Sequence, residues 1–216
     1  MPDYKYKMEQ RSPEWYEARL GRFTASDFHT FLGNSQTKTD MLWEKVAERI
    51  FHDSDRSDYT TFAMERGVIL EPEARKLYTL ATGNKVKEVG IVFPDGNYAE
   101  WAACSPDGLV DKNGMIEIKC PLAKNFLQWT EPSISTDGEE LPREVRYIKP
   151  EYKTQVQFNL MITDREWCDF CYYHPRAGIS ILRIERDQEL IDKIKTALDS
   201  CIEFVKQQIG ATDGIR

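Results

Sequence analysis

Two acidic residues and one lysine in the segment 104–120 are spaced so that they could meet at one point. Asp107 belongs to a Pro-Asp-Gly sequence, and Glu117 and Lys119 follow the polar stretch 111–114. The short apolar stretches that flank this polar turn predict a β-hairpin. Because side chains alternate between the faces of a strand, Glu117 and Lys119 share a face, and the hairpin brings Asp107 beside Glu117. Paired carboxylates suit Mg²⁺, and the lysine can position or deprotonate a water beside the cation.

The arrangement Pro-Asp, spacer, Glu-x-Lys resembles the signature of the PD-(D/E)xK nuclease superfamily. Glu-x-Lys by itself is not informative, because it is common in charged strands, but the Pro-Asp-Gly turn at this distance adds specificity. A surface hairpin with a solvated charged face is the alternative explanation of the same residues. The hairpin alone leaves both explanations open.

The composition is that of a folded globular protein, with 41% hydrophobic and 30% charged residues, and the length of 216 residues predicts one domain over residues 1–216. The net charge of −7 argues against a protein that coats DNA through general basic character, although a nuclease needs only a local positive track. We find no apolar stretch of membrane-spanning length and no export signal, so we expect a cytoplasmic protein without a membrane partner.

The five cysteines are an odd number and lack the spacing of a disulfide framework, which predicts reduced thiols. Cys168 and Cys171 form a Cys-x-x-Cys pair, but the sequence has no second pair, and structural zinc needs four ligands. We therefore interpret residues 167–173 as a buried strand. The polar stretch 52–58 lacks the glycine and the terminal glutamate of a calcium-binding loop.

Apolar periodicity and capping residues predict helices first and strands later along the chain. The expected helices cover residues 13–20, 26–33, 40–51, 59–81, 150–162 and 188–208. The expected strands cover residues 86–93, 98–103, the two arms of the hairpin, 167–173 and 179–185. A long polar connection is expected over 133–149 and a frayed end from 210. This order predicts an α/β (α+β) fold with a central mixed β-sheet flanked by helices. Its helical part takes residues 12–82, the sheet 85–120 and 165–186, and the closing helix 188–209.

Further sequence blocks accompany the hairpin: WYEARLGRFTAS at 15–26, GVILEPEAR at 67–75, SPDG at 105–108 and YKTQVQ at 152–157. Together with EIK at 117–119, in this order, they resemble the phage lambda exonuclease branch of the superfamily, the YqaJ-type viral recombination nucleases. The resemblance covers most of the chain, and it implies a restriction-endonuclease-like core.

The resemblance also implies a function. Members of this branch form a homotrimeric ring that takes up an end of double-stranded DNA and digests one strand from 5′ to 3′. The remaining strand passes to a single-strand annealing protein. A phage- or prophage-encoded protein in the cytoplasm of a bacterial host is implied as well. We expect activity on 5′-phosphorylated ends that leaves 3′ single-stranded overhangs for recombination.

For the metal site, the resemblance and the chemistry of the residues agree. Asp107, Glu117 and the carbonyl of Ile118 are expected to hold Mg²⁺, with Asp107 bridging to a second ion, and Mn²⁺ could substitute. Lys119 is expected to orient the attacking water, and two nearby cations would lower its pKa so that it could act as a base. Glu71 matches the family's helical glutamate, an outer or water-mediated ligand, although in isolation such a residue is usually solvated.

For DNA recognition, several residues match positions that bind the 5′ phosphate in the family: Arg19, Ser26, Ser105 and Gln157. A guanidinium grips phosphate with two parallel bonds, and a helix that begins at Ser26 would add free N–H donors. Ser26 also fits a plain helix cap. Gln155 and Tyr152 could contact DNA, although Gln155 could equally be structural. Met64 matches an apolar wedge that separates the terminal base pairs, but a helical methionine is more often a core residue.

Two other functions use the same residues. A structure-specific or restriction-type endonuclease would keep the metal site and cut within the duplex. A non-catalytic scaffold that binds DNA ends belongs to another class, and the presence of Asp107, Glu117 and Lys119 argues against it.

Overall fold

The computed structural model describes residues 1–53, 62–134 and 140–213. The strands are β1 (Asp3–Lys5), β2 (Phe23–Thr24), β3 (Val86–Lys87), β4 (Ile91–Phe93), β5 (Ala102–Ala103), β6 (Gly108–Val110), β7 (Gly114–Lys119), β8 (Thr130–Ile134), β9 (Glu140–Val145), β10 (Trp167–His174) and β11 (Gly178–Glu185). The α-helices are α1 (Pro13–Glu17), α2 (Gln36–Phe51), α3 (Phe62–Thr82), α4 (Ala123–Trp129), α5 (Pro150–Thr163) and α6 (Gln188–Asp213). Short 3-10 helices cover Phe28–Leu32 and Gly96–Tyr98.

A five-stranded mixed sheet in the order β11-β10-β7-β6-β3 forms the centre of the fold. The β7–β10 pair is parallel, and the other neighbours are antiparallel. The parallel pair requires a crossover, which α4, the β8–β9 hairpin and α5 provide. The predicted α/β fold with a central mixed sheet flanked by helices is therefore confirmed.

The two faces of β7 belong to different apolar cores. Ile116 and Ile118 pack with Ala74 and Tyr78 of α3. Met115, on the opposite face, packs in the larger core that includes residues of α5 and α6. Since alternate residues of a strand face opposite ways, Glu117 and Lys119 project toward the α5 side, as the hairpin pattern predicted.

The turn between β6 and β7 is held by a buried arginine. The guanidinium of Arg165 donates hydrogen bonds to the carbonyl oxygens of Val110, Asp111 and Gly114. Asp111 has a positive φ of 46°, a conformation that aspartate tolerates better than most residues. A Cβ at Gly114 would stand 2.1 Å from the ring of Trp167, so only glycine allows the close packing at this point.

Several of the predicted helix signals are confirmed, but the helix expected over 13–20 ends at Glu17, and the one expected over 26–33 is a 3-10 helix over Phe28–Leu32. The Ser12 hydroxyl accepts a hydrogen bond from the Trp15 N–H, and α3 ends before Gly83, which has a φ of 73°. The helix expected from residue 40 begins at Gln36, because Ser35 caps it by accepting from the Lys38 N–H. The expected start of α3 at residue 59 lies outside the described residues. The 52–58 stretch lies partly outside them.

Two of the strand predictions were wrong. The strand expected over 86–93 is split into β3 and β4, which pair with β6 and β1. The break lies at Gly90, where a Cβ would stand 2.0 Å from the carbonyl oxygen of Met8. The strand expected over 98–103 is reduced to β5, since a 3-10 helix ends at Tyr98 and residues 99–101 form turns.

The prediction of a long polar connection over 133–149 was also wrong. Residues on both sides of the undescribed segment 135–139 form the antiparallel pair β8–β9. The closing helix continues to Asp213, beyond the expected frayed end at 210. No helix in the part of the chain that the structure describes combines enough length with enough apolar residues to span a lipid bilayer.

A buried polar network joins α3 to the sheet. The Asp169 carboxylate on β10 is 3% exposed and accepts hydrogen bonds from the Tyr78 hydroxyl (2.7 Å) and from Nε of Arg183 (2.6 Å). Burial and the bond to Asp169 raise the pKa of Tyr78, so the hydroxyl remains a donor. This network anchors the C-terminal half of α3 against the sheet.

We expect Tyr78→Phe to lower the free energy of unfolding by about 1–2 kcal/mol, because a buried carboxylate loses a donor. Tyr98→Phe is the matched control, since the Tyr98 hydroxyl makes a similar bond (2.8 Å) to the exposed carboxylate of Asp199. Water can replace that bond, so the control should change stability by less than about 0.5 kcal/mol. Urea denaturation measures both. Equal losses in the two variants would contradict the role given to the buried network.

Candidate active site

The Asp107 carboxylate lies between the two arms of the hairpin. Asp107 precedes β6 directly, and its Oδ2 accepts a hydrogen bond of 2.6 Å from the Ile118 N–H on β7. Arg75 of α3 donates to the Asp107 carbonyl oxygen at 3.3 Å. The carboxylate is thus held beside the strand that carries Glu117 and Lys119, which is the placement that the hairpin pattern predicted.

Glu117 is a buried carboxylate that accepts hydrogen bonds from β7 and from α5. Its Oε1 accepts from Lys119 Nζ and from Gln155 Nε2, both at 2.7 Å, and its Oε2 accepts from Asn159 Nδ2 at 3.1 Å. Only 1% of Glu117 is exposed. Gln155 and Asn159 stand one turn apart on α5, so this helix supplies the amide donors that face the β7 carboxylate.

Lys119 joins the carboxylates to α5. Its ammonium donates to Glu117 and, at 3.0 Å, to Oε1 of Gln155. Burial lowers the pKa of Lys119, but the carboxylates of Glu117 and Asp107 outweigh burial and raise the pKa overall. The protein's own charges therefore favour an ammonium that donates hydrogen bonds. The lowered pKa expected from the sequence would have to come from bound cations.

The carboxylates repel each other. Burial raises the pKa of Asp107 well above its usual range, and the carboxylates of Glu117 and Glu71 raise it further. A divalent cation between Asp107 and Glu117 would remove this repulsion, and the oxygen donors present are of the type that Mg²⁺ prefers. Asp107 and Glu117 therefore fit the group that the sequence implied, and the contribution of the Ile118 carbonyl stays a prediction. Within the described ranges, no cluster of three or more His, Cys, Asp or Glu side chains suited to a metal occurs.

Glu71 lies near the carboxylate pair but faces arginines. Its carboxylate forms ion pairs with Arg75, one helical turn away, and with Arg11 at 3.5 Å. Arg75 connects Glu71 to the Asp107 backbone and also pairs with Glu88 at 2.9 Å. This arrangement explains why Glu71 does not complete a three-carboxylate cluster. Its role as an outer ligand stays a prediction.

Arg19 and Ser105 both contact the Trp15 indole. The Arg19 guanidinium stands 4.2 Å from the ring centroid, and the indole Nε1 donates to the Ser105 hydroxyl at 2.9 Å. Arg19 also donates to the Thr24 hydroxyl at 3.0 Å. Because Ser105 is two residues before Asp107, the structure places this arginine–indole–serine group next to the carboxylate site. The sequence analysis did not identify Trp15 or Thr24 as members of the group.

Two residues that were expected to bind the phosphate make other contacts in the structure. Ser26 does not cap a helix, because the following element is a 3-10 helix that begins at Phe28, and the exposed Ser26 hydroxyl contacts Asp27 at 3.4 Å. Gln157 is 3% exposed, and its amide is bonded to the Glu185 carbonyl and to the Asp187 N–H. Gln157 therefore fastens the start of α6 to α5, and its role in binding a phosphate stays a prediction.

The other predicted residues fall in separate places. Gln155 belongs to the carboxylate site, where it bonds both Glu117 and Lys119. The Tyr152 ring lies beside it, with its centroid 5.0 Å from Lys119 Nζ. Met64 is 58% exposed near the start of α3, which agrees with a surface role and not with a core position. Asn159 was missed, although its spacing of four residues from Gln155 places both on one helix face.

Comparisons with known proteins show which family this chain belongs to. A family model described as the YqaJ-like viral recombinase domain matches residues 14–166. A search of proteins with curated functions finds no significant match.

Several solved structures are similar to this chain. The chain is similar to an alkaline exonuclease (LHK-Exo) from Laribacter hongkongensis, with 32% identity and a TM-score of 0.78 over 94% of this chain and 96% of that one. The structure of LHK-Exo in complex with dAMP matches equally, with 33% identity and a TM-score of 0.78 over 93% and 96%. A phage related exonuclease from Haemophilus somnus 129PT shares the fold, with a TM-score of 0.61 and 17% identity over 88% and 96%.

We expect Asp107→Asn to abolish most of the thermal stabilisation that Mg²⁺ gives to the wild type, because one of two anionic ligands is lost. Without metal, the effect of the substitution on stability should reverse, so that Asp107→Asn is more stable than the wild type. A group whose pKa is raised on folding contributes stability below its unfolded-state pKa, and this contribution is lost as the pH rises through the folded-state pKa. The metal-free wild type should therefore lose stability relative to Asp107→Asn as the pH rises.

Thermal unfolding in EDTA and in a Mg²⁺ series, at several pH values, measures both effects. Asp111→Asn is the matched control, since it removes an exposed carboxylate from the opposite end of the same hairpin. If Asp107→Asn kept the full response to Mg²⁺, the assignment of Asp107 as a metal ligand would be wrong.

Proposed function

Because the chain belongs to the YqaJ-like viral recombinase family, we propose that it is a Mg²⁺-dependent 5′–3′ exonuclease of double-stranded DNA. Its similarity to an alkaline exonuclease over nearly the full length of both chains supports a nuclease of the phage type. The observation that carries the proposal is the convergence of the Asp107 and Glu117 carboxylates with the Lys119 ammonium at the β6–β7 hairpin.

In this proposal Asp107, Glu117 and the Ile118 carbonyl hold the metal. When bound, Mg²⁺ supplies charge that activates the attacking water and stabilises the leaving oxygen of an in-line displacement. Asp107 would also help to hold a second ion, which would supply further positive charge, and Mn²⁺ could replace Mg²⁺ because the ligands are oxygens. The chain keeps Asp107 in place through the Ile118 N–H and keeps Glu117 in place through Gln155 and Asn159.

Lys119 contributes a directed positive charge. Its ammonium is already oriented by Glu117 and Gln155, with 22% of the side chain exposed to solvent. From this position it can donate a hydrogen bond to the attacking water or to a phosphate oxygen. Orientation before the substrate arrives lowers the barrier, because no reorganisation is needed during the reaction.

The arginine–indole–serine group is proposed to bind the 5′-terminal phosphate. Arg19 supplies a planar guanidinium, and Ser105 supplies a hydroxyl on the same segment as Asp107. Charge-assisted bonds from a guanidinium to phosphate are among the strong hydrogen bonds in proteins. A phosphate held here would place the first phosphodiester near the metal ligands, which explains digestion from a 5′ end.

The proposed assembly of this protein and its proposed partners rest on the family alone. We propose a homotrimeric ring that encircles the duplex and delivers the remaining 3′-ended strand to a single-strand annealing protein, in the host cytoplasm of a phage or prophage. The proposed product, a 3′ single-stranded overhang, is the substrate that such a partner requires.

We expect the purified protein to release nucleotides from the 5′ end of linear duplex DNA in Mg²⁺, with no release in EDTA. Asp107→Ala should lower the rate about a thousandfold or more, since a metal ligand is lost. Linear duplex labelled at either the 5′ or the 3′ end, and closed circular duplex, separate the possibilities. Early release of the 3′ label would contradict the polarity, and cleavage of the closed circle would favour the endonuclease.

We expect Arg19→Ala to reduce the preference for 5′-phosphorylated ends about tenfold or more, because the guanidinium no longer pairs with the terminal phosphate. The rate on ends without a 5′ phosphate should change much less. Lys112→Ala is the control, since it removes an exposed cation from the hairpin turn at the far end of the sheet. Rates on both kinds of end measure the preference. An unchanged ratio in Arg19→Ala would exclude this pocket.

A further inference from the structure

A row of alternating cations and aromatic rings extends from the active site across the start of α5. We name it the aromatic–lysine surface and define it by Trp129, Tyr147, Lys149 and Tyr152. It begins at Lys119, whose Nζ stands 5.0 Å from the Tyr152 ring centroid. Lys149 Nζ then lies 5.4 Å from the Tyr152 ring and 5.2 Å from the Trp129 ring. The Trp129 and Tyr147 centroids are 6.4 Å apart, so the row is continuous.

The core holds the rings of this surface in place. Trp129 packs on the buried ring of Tyr172 at 5.4 Å, and Tyr152 packs on Phe170 at 5.9 Å. The backbone of Tyr147 is fastened to Trp129, because its N–H donates to the Trp129 carbonyl oxygen at 3.3 Å. These contacts fix the rings before any ligand arrives, which reduces the entropy lost on binding.

The surface is open to a ligand at Tyr147 and Lys149, whereas Trp129 is 9% exposed and packs in the core. Tyr147 is 46% exposed, and the Lys149 side chain is 35% exposed. Arg146 and Lys153, on either side along the chain, are exposed as well. This local concentration of cations contrasts with the net charge of −7 for the whole chain. Exposed rings between cations are the combination with which proteins bind single-stranded nucleic acid, where rings stack on bases and cations pair with phosphates.

We propose that the aromatic–lysine surface binds a single-stranded segment of the DNA strand that is engaged at Lys119. This inference rests on the proposed nuclease function. Tyr147 stacks on a base of that segment, and Lys149 pairs with a phosphate. A single strand fits better than a duplex, because the face of a base is open to a tyrosine ring only after the base has left the helical stack. The surface would hold the strand as it separates from its complement.

One acidic residue opposes this ligand. Glu151 forms an ion pair of 3.3 Å with Lys149, and its side chain is 41% exposed. A phosphate that pairs with Lys149 has to compete with this carboxylate and is repelled by it. Removal of the Glu151 charge should therefore strengthen binding, whereas removal of the ring or the lysine should weaken it. Opposite effects from neighbouring residues are a sharper test than loss of binding alone.

The experiment measures the affinity for a fluorescein-labelled single-stranded oligonucleotide of about twelve nucleotides by anisotropy, in EDTA so that no cleavage occurs. We expect Tyr147→Ala and Lys149→Ala each to weaken binding about tenfold, and Glu151→Gln to strengthen it about twofold to threefold. Tyr147→Phe should keep the affinity, because it keeps the ring. Lys149→Ala should also flatten the salt dependence of log Kd by about 0.7, whereas Tyr147→Ala should leave the slope unchanged.

The chain offers a matched control at the opposite edge of the sheet. There Lys87 Nζ stands 3.5 Å from the Tyr6 ring centroid, which is the same lysine–tyrosine chemistry on β3 and the segment after β1. Tyr6→Ala and Lys87→Ala should leave the affinity unchanged. Thermal unfolding of every variant verifies folding, and the separate effects of Lys149→Ala and Glu151→Gln test the proposal even if Tyr147→Ala folds poorly.

The outcomes separate this inference from the proposed function. If all variants bound the oligonucleotide like the wild type while Asp107→Ala abolished digestion, the surface assignment would fail and the nuclease would stand. The same unchanged affinities would follow if the surface served a protein partner. Suppose that the wild type bound the oligonucleotide but digested no DNA, and that Tyr147→Ala and Lys149→Ala lost binding. The assignment of the surface would then be correct, and the proposed nuclease function would be wrong.

Discussion

The carboxylates of Asp107 and Glu117 are buried next to each other, and the rest of the structure depends on this constraint. An ionised group removed from water is costly unless donors replace the lost hydration. Glu117 receives such donors from Lys119, Gln155 and Asn159, and Asp107 receives one from the Ile118 N–H. These bonds keep both groups in place, but the repulsion between them persists. A cation would relieve this repulsion, and the proposed metal-dependent nuclease requires such a site.

This constraint explains how the helices are arranged around the sheet. Helix α5 faces the side of β7 that carries Glu117 and Lys119, and it supplies two amides one turn apart. Helix α3 covers the side that carries Ile116 and Ile118 and reaches Asp107 through Arg75. The Tyr78–Asp169 bond anchors α3 further along. The sheet thus serves as a rigid frame, and each helix contributes one part of the site to it.

The groups proposed to bind DNA lie on two sides of this centre. Arg19, Trp15 and Ser105 connect the N-terminal segment to the residues just before Asp107. The aromatic–lysine surface leads away from Lys119 across the start of α5. In both places a ring lies against a cation, an arrangement that can meet phosphates and bases together. The proposed recognition of a DNA end and the proposed guidance of a DNA strand would then use the same chemistry in these two places.

The sequence by itself determined the hairpin, the shared face of Glu117 and Lys119 and the α/β class, because these depend on local alternation and capping. It could not separate Gln155 from Gln157, since both lie in one polar motif and only the packing of α5 decides which amide meets Glu117. It also missed the division of the strand at Gly90 and the β8–β9 hairpin. Those features, and the junction of Trp129 with Tyr147, were decided by tertiary structure, because they depend on contacts between segments distant in the chain.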